Sequence, residues 1–176
     1  MKECEKGIAV GVVVAVVVVV VAAAVVGGYL VLSHGGGTAA TSGTGATITT
    51  GGTAINKKFD FSTGSTVSGD TYDFAIEPWW GQWGGSGPTP AVQSYNGIDN
   101  LVSEIGPVTL ASVTTVPDSE YYSDVPALNG HTYVIKCRNG NYAKIHIMDI
   151  IYTNEENYPA TITFDWVYQP NGSLSF

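Results

Sequence analysis

The stretch that decides the fold is "HTYVIKCRNGNYAKIHIMDIIY", residues 131–152. Apolar and polar residues alternate with a period of two on both sides of the loop Arg138–Gly140, which is the pattern of a β-hairpin. A two-residue turn would set apolar residues opposite polar ones on both faces. A three-residue loop with Gly140 in the left-handed conformation instead sets Tyr133 opposite Ile145. We therefore predict the three-residue loop.

A second alternating run, "ATITFDWVY" at 160–168, predicts a half-buried strand with an aromatic face turned inward. Trp166 lies on that face and is predicted to be a core residue. Similar short runs, separated by Gly, Pro, Asn and Asp, begin near Lys57 and predict an all-β, antiparallel β-sandwich domain. Within it, "NGIDNLVSEI" at 96–105 is the one stretch whose pattern allows a short helix.

The beginning of the chain is of a different kind, because residues 8–32 carry no charge and are dominated by valine. Twenty-five apolar residues exceed the length needed to cross a bilayer as a helix. The alternative is a cleaved secretory signal, with the small residues Ala22–Ala24 near its end. Lys2 and Lys6 precede the run, which places the N-terminus in the cytoplasm and the rest outside the cell membrane. The predicted divisions are a cytoplasmic N-region (1–7), a transmembrane helix (8–32), a flexible Gly/Ser/Thr linker (33–56) and an extracytoplasmic β domain (57–176).

Charge and cysteine content exclude several classes of partner. Beyond the apolar run there are five basic and thirteen acidic residues, so the domain lacks the basic surface that nucleic acids require. Cys4 precedes the run and Cys137 lies far beyond it. On this topology the two thiols face different compartments and cannot pair within one chain.

No pattern in the sequence predicts catalysis or a metal site. His34 lies in the linker, while the hairpin register places His131 and His146 on opposite faces, so they cannot hold one metal ion together. Cys137 is predicted to be a buried thiol, and no nucleophile motif is present. We therefore expect a binding protein rather than an enzyme, with no catalytic residues and no metal ligands.

Two polar segments carry weaker signals. The run "PDSEYYSD", with Asp118, Glu120 and Asp124, offers oxygen ligands but lacks the spacing of an EF-hand, which favours a solvated acidic loop. Asn171 begins the sequence Asn-Gly-Ser, a glycosylation site in hosts that modify exported proteins.

The most unusual stretch is "EPWWGQWGGSGPTP", residues 77–90, which follows a predicted strand and contains Trp79, Trp80 and Trp83. Tryptophans on a glycine-rich loop offer large flat faces that can stack on a flat ligand. The alternative is that the indoles fold back and cover the end of the sandwich. The candidate ligand-binding residues are these three tryptophans and Glu77.

The segments "YDFAI", "YVIKCRNGNYAKIHI" and "ITFDWVYQPNGS", taken in this order, resemble the HmuY family of surface-exposed haem-binding proteins over residues 57–176. The resemblance implies an all-β fold and haem as the candidate cofactor, held between two axial side chains. At the position where an axial histidine is expected, this chain has Glu77. A flat ligand would then be held by stacking.

The N-terminus has a second resemblance. "EKG" directly before the apolar run is similar to an archaeal class III, prepilin-type signal, in which cleavage between Gly7 and Ile8 leaves the helix as the core of a filament. This resemblance implies self-association through the N-terminal helix. An archaeal pilin-like filament subunit is therefore the alternative function.

Overall fold

The computed structural model describes residues 29–31, 41–49, 58–78, 90–95, 97–152 and 160–176, and these form an all-β fold with two antiparallel sheets, as predicted. The six-stranded sheet has the order β1-β2-β11-β10-β9-β7, and the five-stranded sheet has the order β4-β3-β5-β6-β8. The strands are β1 (Tyr29–Val31), β2 (Thr41–Thr49), β3 (Lys58–Asp60), β4 (Ser65–Val67), β5 (Phe74–Pro78), β6 (Pro90–Ser94), β7 (Val102–Gly106), β8 (Asp124–Pro126), β9 (Thr132–Lys136), β10 (Tyr142–Tyr152) and β11 (Ala160–Gln169). One 3₁₀ turn, Leu110–Ser112, lies between β7 and β8.

The hairpin of β9 and β10 has the predicted register. Tyr133 lies opposite Ile145, and the loop is closed by a hydrogen bond of 2.8 Å from the Cys137 amide to the Asn141 carbonyl. Gly140 has a φ of 83°, in the left-handed region that glycine adopts without steric cost. The three-residue loop is therefore confirmed.

Strand β11 alternates between buried and half-buried residues along its whole length, as predicted. Its inward side chains meet three phenylalanines of the five-stranded sheet, and ring centroids lie 5.2 Å apart for Phe59 and Phe164 and 5.7 Å apart for Phe59 and Trp166. Edge-to-face and tilted contacts of this kind are the arrangements that aromatic rings prefer. Trp166 is 2% exposed, which confirms it as a core residue.

The predicted flexible linker, 33–56, is wrong for residues 41–49. These residues form β2, which pairs with β11 from Thr41 to Thr49 and buries Ile48 completely. Pairing with the exposed edge of β11 satisfies the backbone of a segment whose composition alone predicts a tether. The folded domain therefore begins before the predicted boundary at residue 57.

Two helix predictions are also corrected. The last residues of the predicted transmembrane helix, Tyr29–Val31, form a short strand that pairs with β2, while residues 1–28 lie outside the described part of the chain. Among the residues that the structure describes, no helix is long and apolar enough to cross a membrane. The short helix predicted within 96–105 is wrong, because Val102–Gly106 forms β7 and pairs with β9, burying Val102.

A segment between β7 and β8 and the C-terminal residues cross the outer face of the six-stranded sheet. Phe176 donates its amide to the Thr114 carbonyl, and the Phe176 ring lies 4.7 Å from the Lys144 ammonium. Lys144 is buried there and donates a 2.7 Å hydrogen bond to the Val113 carbonyl. This layer explains why a lysine on the outer face of the hairpin is not solvated.

Three pairs of consecutive strands have their connecting segments at the same end of the sandwich. Phe59 faces Phe164 while Phe61 faces Tyr168, so β3 and β11 run in the same direction and begin at the same end of the sandwich. The strand ends that flank segments 50–57, 79–89 and 153–159 all lie at this end. We call it the connector end, and the opposite end contains the loop Arg138–Gly140.

Candidate functional site

Glu77 lies at the connector end, one residue before the end of β5 and of the described chain that leads into the tryptophan-rich segment. It is opposite Ala91 in β6, and its carboxylate accepts a short hydrogen bond from the Gln93 amide group. Partial burial is the main cause that raises the pKa of Glu77 above 4.5; the nearby Asp124 raises it further, while the bond from Gln93 lowers it. The Glu77 carboxylate is therefore a partly buried hydrogen-bond acceptor that is fixed in position by Gln93.

A second partly exposed carboxylate, Glu104, lies in the other sheet. Glu104 in β7 is in register with Tyr133, whose side chain is fully buried between the sheets, so Glu104 shares the inward face. Its Oε1 lies 2.7 Å from Nδ1 of His131, and both side chains are partly exposed. The sequence did not reveal this pair, because residues 96–105 were predicted to be helical and not a strand beside β9.

His146 lies on the opposite face of the sheet from His131, as predicted. Thr132 donates its only hydroxyl proton to the Val108 carbonyl, so His146 Nδ1, 2.9 Å away, donates to the Thr132 oxygen. The two histidines are thus bound to different partners. In the described part of the chain, no group of three or more His, Cys, Asp or Glu residues could hold a metal ion.

Large apolar side chains are exposed beside these polar groups. Met148, Ile151 and Tyr152 are each about half exposed, although they belong to β10. Strand β10 continues beyond the pairing with β9, which ends at Thr132 and His146. The connector end therefore carries Glu77 and exposed apolar side chains, and we call this surface the rim.

Tyr133 fixes the spacing of the two sheets at this end. Its hydroxyl donates to the Pro126 carbonyl at 2.9 Å and accepts from the Leu128 amide at 2.8 Å. Burial raises the pKa of the Tyr133 hydroxyl well above its usual value, so the group stays a neutral donor. These two hydrogen bonds join β9 of one sheet to the end of β8 in the other.

The opposite end of the sandwich contains a different polar group. Asp73 is buried and accepts hydrogen bonds from the Phe61 amide (2.8 Å) and the Arg138 amide (3.1 Å), which join the two sheets. Desolvation raises the pKa of Asp73 above 3.8. Cys137 is buried nearby, as predicted, and burial raises the pKa of its thiol. This end is structural.

Several residues predicted from the sequence cannot be placed. Trp79, Trp80 and Trp83 lie outside the described residues, as do Cys4, His34 and the predicted processing site Gly7-Ile8. The strands place only the two ends of the tryptophan-rich segment, since residues 78 and 90 are paired with each other.

The polar surface segments are placed. Asn171 is exposed, and its side-chain oxygen accepts a hydrogen bond from the Ser173 amide. Its glycosylation stays a prediction. Asp118 and Glu120 are exposed in the segment before β8, whereas Asp124 belongs to β8 itself. They do not form a common cluster with a third metal-ligating residue in the described part of the chain.

Comparisons with known proteins relate this chain to one family. The family model described as HmuY protein matches residues 45–166. Among solved structures, the chain is similar to the apo HmuY analog of Tannerella forsythia, with 12% sequence identity, a TM-score of 0.43, and coverage of 72% of this chain and 96% of that one. No curated protein matches the sequence significantly.

Proposed function

Since this chain belongs to the HmuY protein family, we propose that it is a membrane-anchored, extracytoplasmic binding protein for haem or another flat hydrophobic molecule. We infer that the ligand binds at the connector end, against Trp79, Trp80 and Trp83, with Glu77 at the base of the segment. The protein acts by binding and not by catalysis.

The observation that carries the proposal is the convergence of three connections at one end of a rigid sandwich. The strands that flank the tryptophan-rich segment meet there at Pro78 and Pro90, next to Glu77, and the exposed Tyr152 ends β10 at the same end of the sandwich. Loops on a rigid scaffold are the usual location of binding residues. Flat aromatic side chains and apolar rims suit a flat aromatic ligand, which gains by stacking and by losing contact with water.

A titration of the purified full-length chain with haem tests the proposal. We expect a shift of the Soret band and quenching of tryptophan fluorescence, and we expect both to disappear when Trp79, Trp80 and Trp83 are replaced by leucine. The control is Tyr122→Leu, because Tyr122 is also an exposed aromatic residue but pairs with Val102, away from the connector end. Equal binding by both variants would contradict the proposed site.

Membrane anchoring is part of the proposal and rests on the apolar run alone. The alternative, a filament subunit, rests on "EKG" before that run, followed by a β domain. The two differ in the mature N-terminus. Cleavage between Gly7 and Ile8, together with filaments on cells, supports the subunit, while an intact N-terminus in the membrane fraction supports the anchor.

A further inference from the structure

We propose that Asn171 is a site of spontaneous deamidation, and that its isoaspartyl product loosens the C-terminal residues that cover Lys144. The site is the pair Asn171-Gly172, in the turn that follows β11. The reaction needs water as its co-reactant and no enzyme.

Deamidation of an Asn-Gly pair begins with attack by the glycine amide nitrogen on the asparagine side chain. The amide loses its proton to hydroxide, its nitrogen bonds to Cγ, the Cγ–Nδ2 bond breaks, and ammonia leaves. Water then opens the resulting succinimide ring at either carbonyl and gives aspartate or isoaspartate. Glycine in the second position favours this reaction because it has no side chain that hinders the approach.

Asn-Gly occurs four times in the chain, and in three of these pairs the glycine amide is held by a hydrogen bond. The amides of Gly97, Gly130 and Gly140 donate to the carbonyls of Ser94 (3.1 Å), Ile147 (2.8 Å) and Cys137 (2.9 Å), respectively. Among the residues that the structure describes, no acceptor lies in hydrogen-bond geometry with the Gly172 amide. This nitrogen can therefore attack without first breaking a hydrogen bond, as the other three must.

The pair Asn139-Gly140 is similar in every other respect but one. Both asparagines are exposed, Gly140 and Gly172 have φ values of 83° and 69°, and each asparagine Oδ1 accepts a hydrogen bond from the amide two residues further on. This bond stabilises the negative charge that develops on Oδ1 during attack. Asn139, however, also donates its Nδ2 to the Tyr168 hydroxyl at 2.8 Å. In the described part of the chain Asn171 Nδ2, the leaving group, has no such partner.

The turn at Asn171 connects β11 to a strap, residues 174–176, on the outer face of the six-stranded sheet. Three hydrogen bonds fix the strap: Val116 amide to Leu174 carbonyl (2.9 Å), Phe176 amide to Thr114 carbonyl (3.0 Å), and Gln169 Nε2 to Ser175 carbonyl (2.7 Å). Isoaspartate routes the main chain through Cβ and Cγ, which inserts an extra carbon atom into the turn. The strap can then no longer keep this register with residues 114–116.

The strap keeps Lys144 away from water. The Phe176 ring lies 4.7 Å from the Lys144 ammonium, whose hydrogen bond goes to the Val113 carbonyl at 2.7 Å. Desolvation by burial lowers the pKa of Lys144, in agreement with this cover. A buried cation gains free energy when water reaches it, which favours the loosened state once the turn is altered.

The test of the site ages the full-length chain, produced in a host without N-glycosylation, in mildly alkaline buffer. Peptide mass spectrometry follows the replacement of NH by O at Asn129, Asn139 and Asn171, and synthetic peptides identify the isoaspartyl form. We expect Asn171 to react at least about fivefold faster than the other two, the ratio that one ordinary hydrogen bond on the nucleophile supplies. An equal or lower rate at Asn171 would overturn the site.

Acylation of lysine amines on the aged chain tests the strap. Labelling of Lys144 should rise in proportion to isoaspartate at residue 171, while labelling of Lys58, in the other sheet, should stay constant. The controls are Asn171→Asp, which has the new charge without the extra carbon, and Asn171→Ser, which keeps an oxygen for the Ser173 amide. Both should leave Lys144 protected.

The two outcomes are separable. If Lys144 is labelled equally in Asn171→Asp, or if its labelling does not follow isoaspartate, the release of the strap is overturned while the modification site stands. If Asn171 does not deamidate faster than Asn139, both parts of the proposal fail.

Discussion

Gly43 gives the sharpest test of the fold, because it lies in β2, within the segment whose composition predicts a tether. A Cβ atom at this position would lie 2.5 Å from Nε1 and 2.8 Å from Cε2 of the Trp166 indole, whereas ordinary contacts are 3.4–4 Å. The overlap is therefore about 1 Å in a close-packed core. We expect Gly43→Ala to destabilise the domain substantially.

The magnitude follows from what confines the indole. The Phe59 and Phe61 rings lie 5.7 and 5.8 Å from Trp166, so the indole cannot move inward without displacing them. Overpacking of this kind costs about 2–3 kcal/mol. With a urea m-value of about 1.5 kcal/mol per molar, the unfolding midpoint should fall by about 1.3–2 M.

Urea unfolding of the full-length chain, followed by tryptophan fluorescence and near-UV circular dichroism, measures the effect. The control is Gly69→Ala, since no heavy atom lies within 4 Å of its added Cβ and its φ does not require glycine. It should shift the midpoint by less than about 0.3 M. Trp166→Phe, which removes the clashing ring, should make the cost of Gly43→Ala smaller in the double variant than in the single one. An unchanged midpoint for Gly43→Ala would show that β2 does not pack on the indole.

Three further substitutions test the sandwich and its two ends. Asp73→Asn tests the pH dependence of stability. Desolvation raises the folded-state pKa of Asp73 above 3.8, so the native chain should lose stability as pH rises from below 3.8 through that pKa. The variant lacks this carboxylate and should show a flatter profile of urea midpoints over the same range. Tyr133→Phe should lower the free energy of unfolding by about 1–3 kcal/mol, because the Pro126 carbonyl and the Leu128 amide both lose the hydroxyl that they bond to. Equal stability would show that water replaces the hydroxyl. Phe164→Ala should cost about 3–5 kcal/mol, measured in the same way, since this fully buried ring contacts Phe59 and Phe74 across the sheets; a cost below about 1 kcal/mol would contradict the packing.

The parts of the fold that the sequence predicted correctly are those in which burial alternates along a strand. Strand β11 and the β9–β10 hairpin have one face in the core, and a period of two in the sequence is then enough to fix both the strand and its register. The turn followed from the same register argument, since Gly140 has to adopt a positive φ. Trp166 was placed in the core for the same reason.

The parts that failed depend on contacts distant in the sequence. Strand β2 has almost no hydrophobic pattern of its own, and it is a strand because β11 lies beside it and because Gly43 admits an indole from residue 166. The local pattern of residues 96–105 allowed a short helix, but pairing of Val102–Gly106 with β9 makes the second half of this stretch a strand. Tertiary contacts override local preference in both cases.

The candidate site was predictable only in part, for a related reason. Glu77 stays a predicted ligand-binding residue, chosen because it stands where the resembled family would offer an axial histidine, and the structure shows that it lies next to the end of β5, opposite Ala91. The Glu104–His131 pair joins residues 27 positions apart and exists only because β7 and β9 are neighbours. A local pattern in one sequence does not predict a contact between side chains that far apart in the chain.

The rim and the core are separated within a single strand, β5. Ile76 and Glu77 are consecutive in β5, yet Ile76 is fully buried in the core while Glu77 points to the rim. The β5–β6 ladder extends as far as the pairing of Pro78 with Pro90, the two residues that flank the tryptophan-rich segment. Substitutions at the rim can therefore leave unchanged the packing that the family model recognises. It follows that membership of the family specifies this scaffold, while the ligand that we propose for the connector end has to be tested on the residues there.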